Sequence, residues 1–153
     1  YLNLPMEEMK DLIIRQLKDG KPVWFGSDVG SMGEREMGIW SDAIYDFDGT
    51  LGIDFSMTKE ERLNHRESAM NHAMVITGVN LDENGKPNRW KIENSWSDQN
   101  GEKGYYVMNA GWFDKFVYQA VIEKSYLNEK QLEALQTEPL HFMPWDPMGT
   151  LAE

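Results

Sequence analysis

The stretch Met70-Asn71-His72-Ala73-Met74-Val75-Ile76-Thr77-Gly78-Val79-Asn80-Leu81, followed by Arg89-Trp90-Lys91-Ile92-Glu93-Asn94, decides the fold. Ala73 to Leu81 is nearly continuous apolar sequence with several β-branched residues, and Arg89 to Asn94 alternates polar and apolar. Asp82-Glu83-Asn84-Gly85-Lys86-Pro87-Asn88 concentrates turn residues between them, so the two runs form a hairpin across a seven-residue loop. A second loop, Ser97 to Gly104, leads to a strand at Tyr105-Tyr106-Val107-Met108, and Phe116 to Glu123 supplies another. Connections this short make the meander antiparallel.

Upstream, Met6, Met9, Ile13 and Leu17 fall on one stripe from Met6 to Lys18, widened by Leu12 and Ile14, which predicts an amphipathic helix. Pro5, Glu7 and Glu8 suit its start and Gly20 its stop. Lys21 to Gly26 reads as a short buried strand. Ser27 to Met57 loses period and fills with glycines, acids and aromatics, a long ordered loop that should carry function or pack elsewhere. Thr58-Lys59-Glu60-Glu61 is a capping box that opens a helix through about Ser68 or Met70. Glu129 to Gln136 reads as a short polar helix, after which Pro139, Pro144 and Pro147 impose an extended path. The expectation is an α+β class, with one domain over residues 1–138 and an extended arm over residues 139–153.

The 153 residues are 41% hydrophobic and include six Trp, enough to fill a core. A net charge of -11 opposes nonspecific binding to nucleic acid, and no apolar run approaches a membrane span. The first residues, Tyr1-Leu2-Asn3, suggest a piece of something longer. With no cysteine, the chain has no disulfide, Cys-ligated metal or thiol nucleophile of its own. No metal site and no cofactor is expected.

Histidines occur only at 65, 72 and 141. His65 lies in a charged helical stretch and His141 precedes the Pro-rich arm, so both should be solvated. His72 stands at a helix-to-strand junction, where a polar group can reach a cleft, and the hairpin can bring the Asn94 amide back beside it. In a Cys-His-Asn arrangement the imidazole takes the thiol proton, the thiolate attacks a carbonyl, and the Asn oxygen holds the ring. On spacing alone, a histidine on a mostly apolar strand is more often a satisfied structural residue.

The surrounding words add to this. His72-Ala73 before an apolar strand and Gly78, then Glu93-Asn94-Ser95-Trp96, then Gly101 and Gly104-Tyr105-Tyr106, resemble the His and Asn blocks of papain-like cysteine peptidases. Asp46-Phe47-Asp48-Gly49-Thr50-Leu51-Gly52, Met70 to Met74 and Pro144-Trp145-Asp146-Pro147-Met148-Gly149 look like the bleomycin hydrolase and aminopeptidase C branch. The resemblance runs from Leu2 to Ala152. It implies a papain-like fold, here the half with an antiparallel half-barrel sheet, flanking helices and the arm. By the same resemblance the nucleophile lies in an N-terminal half outside this chain, His72 is general base and acid, and Asn94 orients it.

The resemblance further implies cytoplasmic location, a hexamer, and peptide substrates with a free N-terminus, with the arm lying in the cleft and ending near Ala152. An acidic terminus there would pair with the substrate ammonium and exclude longer peptides. Glu153 is then either retained or trimmed by self-processing. Trp96 either shields the Asn-His bond and shapes the leaving-group side or is simply a core aromatic, and Asn71 lines the cleft. Ser97 stands where the family usually has Gly, so a positive φ there would strain it. This portion alone should be inactive and should expose an apolar face that invites self-association.

Other readings are weaker. Gly26-Ser27-Asp28-Val29-Gly30 lacks the first glycine of a serine elbow, because Phe25 stands in its place. Asp42, Asp46, Asp48 and Asp54 miss the spacing of a calcium loop. The alternative of another class is a cysteine-free homologue or subunit that binds partners and catalyses nothing.

Overall fold

Helix α1 (Met6–Lys18) opens the chain in the computed structural model, which describes residues 1–151. Glu7 and Glu8 sit at its positive end and Arg15 and Lys18 at its negative end, while Ile13 and Ile14 join the core cluster with the sheet and Leu12 is buried as well. Strands β1 (Val23–Ser27), β2 (Gly33–Glu34), β3 (Ile39–Trp40), β4 (His72–Leu81), β5 (Pro87–Glu93), β6 (Tyr105–Asn109) and β7 (Val117–Ala120) form one sheet. Their order is β2-β3-β6-β5-β4-β1-β7, which puts the hairpin β4–β5 near its middle.

β4, β5 and β6 are the expected antiparallel meander, and β1 pairs antiparallel with both β4 and β7. One pairing departs from that expectation: β3 runs parallel to β6, with Ile39 opposite Val107 and Trp40 opposite Met108. Short connections dictate direction only between consecutive strands, and here the whole central hairpin intervenes. The segment read as loop also carries the small hairpin β2–β3 and helix α2 (Phe47–Leu51), capped by Asp46, which accepts from the Gly49 N–H.

Helix α3 (Lys59–Asn64) starts with the expected Thr58/Glu61 capping box but ends before Ser68. Arg66 turns to φ 57°, and Ser68 is drawn inside, its hydroxyl donating to Asp28 at 2.8 Å. Helix α4 (Ala110–Phe116) occupies sequence assigned to no element apart from Phe116, which was expected to open the last strand; that strand instead runs over Val117–Ala120. Asn109 caps it by accepting from the Trp112 N–H at 2.8 Å, and Trp112, Phe113 and Phe116 fill the core. Helix α5 (Glu129–Gln136) matches the expected bounds, closed by reciprocal Asn128 and Gln131 bonds.

The arm is not extended throughout, because Pro147–Leu151 forms a 3-10 turn. It folds back on α3 and the turn that follows it, where Arg66 donates to the Trp145 carbonyl at 3.1 Å. Ala152 and Glu153, and with them the expected end of the arm, lie outside the described residues.

An aromatic cluster fixes the sheet's inner face. Trp40 stacks on Tyr106 with centroids 4.7 Å apart, and Trp90 on Phe113 at 4.6 Å. Gly38, at φ +70°, lets the turn before β3 lie against Gly101, where an added Cβ would stand 2.6 Å from the Gly101 Cα.

Candidate active site

A period of two places His72, Met74 and Ile76 on one face of β4, and Trp90 and Ile92 on the same core-facing side of β5, with Asn94 next in that alternation. The apolar members are buried, while His72 and Asn94, where the core face opens, are half-buried. Val75 opposes Glu93, so Asn94 continues just past the last pair and turns back toward His72. His72 Nε2 and Asn94 Oδ1 lie 2.9 Å apart.

A neighbouring bond fixes the protonation of that contact. The Ser95 backbone N–H, which can only donate, meets Asn94 Oδ1 at 2.8 Å, so the atom facing the imidazole is the carbonyl oxygen. Nε2 therefore carries the proton, and Nδ1 keeps its lone pair for another group. The Asn94 Nδ2 is buried without a partner among the described residues.

Trp96 stacks on the imidazole, with centroids 4.9 Å apart and planes at 28°. Edge contacts with Trp40 at 6.0 Å and Tyr106 at 6.1 Å hold the indole, and the Arg35 guanidinium lies 4.7 Å from it. An indole in this position covers one face of the imidazole ring. Ser97 takes φ 71°, the positive value that its replacement of a family glycine raised as a question.

Asn71 adjoins His72, yet both polar atoms of its side chain are taken: Nδ2 donates to Asp28 Oδ1 at 2.7 Å and Oδ1 accepts from the Val29 N–H at 3.0 Å. His65 and His141 are exposed, and the described residues hold no metal-like cluster of three or more His, Asp or Glu. Asp46 and Asp48 accept the Gly49 and Phe55 N–H groups, and Asp54 accepts that of Ser56. Asp42 bonds Asn109 and pairs with Lys115 at 3.0 Å; burial raises its pKa, but these bonds outweigh it and hold the carboxyl below its usual value. Ser27 is fully buried, which removes it as a nucleophile.

Two residues near the pair were given no role in the sequence reading. Arg35 sits in an aperiodic stretch where nothing marks it as a neighbour of Trp96. Asp28, buried at 5% exposure, lies 43 positions before Asn71, and no pattern signals that contact.

A family model described as the Peptidase C1-like family matches residues 1–149. Aminopeptidase C of Streptococcus thermophilus is 49% identical over 152 residues, covering 99% of this chain and 34% of the relative. Aminopeptidase C of Lactobacillus delbrueckii subsp. lactis is 53% identical over 155 residues, with the same coverage of 99% and 34%. The crystal structure of PepW from Lactobacillus rhamnosis HN001 superimposes with a TM-score of 0.92 at 51% identity, over 96% of this chain and 33% of that one. The chain thus spans about a third of the length of the relatives it matches. With this coverage and identity, the chain belongs to the Peptidase C1-like family and carries a portion of its papain-like α+β fold.

Proposed function

We propose that this chain is the His- and Asn-bearing portion of a cysteine aminopeptidase, with its thiol supplied by a segment outside the chain. The observation that carries the reading is the 2.9 Å contact from His72 Nε2 to Asn94 Oδ1, which leaves Nδ1 as the basic nitrogen. Nδ1 takes the thiol proton, and the thiolate adds to the carbonyl of the first peptide bond. The imidazolium then returns that proton to the leaving amine as the C–N bond breaks, which leaves a thioester. Water, giving a proton to Nδ1, adds to the thioester carbonyl, and the proton passes to sulfur as the C–S bond breaks. Asn94 holds the ring through both halves, and Trp96 keeps water from their bond while shaping the leaving-group side. Asn71 contributes to the cleft wall through its backbone, and the arm, ending near Ala152, meets the substrate's ammonium.

The same reading takes peptides with a free N-terminus as substrates, needs no metal or cofactor, leaves this portion inactive alone, and places the whole enzyme in the cytoplasm as a hexamer. It is tested in the full-length protein with an aminoacyl amide and its N-acetylated counterpart. Hydrolysis of the first alone is expected, with His72→Ala lowering kcat/KM by roughly 10³-fold. Asn94→Ala should lower it by roughly 10- to 100-fold, the worth of one hydrogen bond to a charged group. A full-length protein without turnover, or a His72→Ala variant at the parent rate, would favour the non-catalytic binding module instead.

A further inference from the structure

Beyond the His72–Asn94 pair, we propose that Asp28 is a positioning residue for His72, acting through Asn71; as a statement about activity this rests on the peptidase reading. β1 ends in a register shift against β7 between Gly26 and Ser27, an irregularity that re-aims the chain, and Asp28 follows with its N–H donating to the Phe116 carbonyl at 3.0 Å. Its carboxylate is buried, and no cation pairs with it among the described residues. Neutral donors surround it instead. Oδ1 accepts the Gly30 N–H at 3.1 Å and Asn71 Nδ2 at 2.7 Å, while Oδ2 accepts the Ser31 hydroxyl at 3.2 Å and that of Ser68 at 2.8 Å. Tyr118 extends the network, its hydroxyl donating to Ser68 Oγ at 2.6 Å.

A buried carboxylate satisfied on both oxygens is a rigid post, because moving any one donor takes a hydrogen bond from a charge in a poorly hydrated place. What it fixes is the residue before His72. Asn71 is held by its side chain on both sides of the amide and by its own N–H, which donates to the Ser27 carbonyl at 3.0 Å. Ser27 in turn opposes His72 across the β1–β4 ladder. The imidazole must reach both Asn94 and a reacting atom, so the direction in which its Cα–Cβ bond leaves β4 is decisive, and Asp28 sets it from the far side of the strand end.

The test uses the full-length protein and two readouts, steady-state kinetics and the NMR signal of the His72 Nε2–H proton, which its bond to Asn94 slows in exchange. Asp28→Ala is expected to lower kcat by roughly 10- to 100-fold, the usual cost of losing an outer partner that orients a functional imidazole. KM should stay within about twofold, and the Nε2–H signal should be lost to exchange. Asn71→Ala should behave alike, with the double variant no worse than either single, since both cut one linkage. Asp28→Asn is the conservative rescue: its oxygen still accepts from Asn71 and Gly30, the two serine hydroxyls can turn to accept its amide, and most of kcat should return. Should Asp28→Ala fail to fold, Asn71→Ala and Asp28→Asn decide. Unchanged kcat with an intact Nε2–H signal, or losses that multiply in the double variant, overturns the proposal. A parent protein without turnover would sink the peptidase reading alone, because the proton signal still reports whether Asp28 sets the ring.

Discussion

At Ser97 the backbone adopts φ 71° without the freedom of glycine, three residues beyond the asparagine that binds the imidazole. A side-chain-bearing residue there stores about 1 kcal/mol of strain, partly offset by the greater unfolded-state freedom a glycine would bring and by the weak bond from the Gln99 N–H to Ser97 Oγ at 3.2 Å. Ser97→Gly is therefore expected to raise the unfolding free energy by about 0.5 kcal/mol, read as a higher urea midpoint at constant slope. An equal or lower midpoint would show that the loop relaxes the strain elsewhere. The nearness of Asn94 to His72 was legible because one hairpin ties them, whereas the attention to Trp96 and to a positive φ at Ser97 came from the family resemblance and not from any period in the chain. Asp28 was not legible, since its partners Asn71 and Ser68 meet it only through the β1–β4 ladder and the turn after α3.

Among the elements, α3 carries the clearest pH dependence. Lys59, in its first turn, donates to the Val117 carbonyl and lies 5.0 Å from the Tyr118 ring. Burial lowers its pKa to about 8 from 10.5, with Asp114 pulling it upward and Lys10 adding to the depression. The unfolded chain keeps that proton until 10.5 while the folded protein releases it near 8, so between these values the unfolded state binds more protons and this group's contribution to stability rises with pH. Lys59→Met should accordingly be more stable than the parent at pH 7, with the advantage shrinking toward pH 10.5; denaturant titrations at both pH values check this, and a pH-independent difference would refute it. The elements show how far local pattern reaches. α1 was legible to the residue because its amphipathic stripe agrees with Pro5 at its start and Gly20 past its end, and α5 matched its reading as a short polar helix, whereas α4 was hidden by its cluster of aromatics, which suits strands as well as helices. Two-residue strands such as β3 leave no periodic trace at all.

Over the whole molecule, apolar side chains remain on the outside: Trp24 on the outer side of β1, and Tyr45, Phe47, Leu51, Ile53 and Phe55 around α2. A cluster of this kind rarely stays in water on a stable monomer. The isolated chain is expected to self-associate, with light-scattering mass rising with concentration, and a constant monomer mass across a hundredfold dilution would argue that the surface is tolerated as it stands. The parallel pairing of β3 with β6 carries a kinetic consequence. Ile39 cannot meet Val107 until everything between them has been made, and that long closure costs more entropy, whereas β4, β5 and β6 follow one another along the chain and pair locally. As the chain leaves the ribosome, the imidazole and its amide meet within a single hairpin, and Trp40, which braces the indole, arrives on its strand only afterwards.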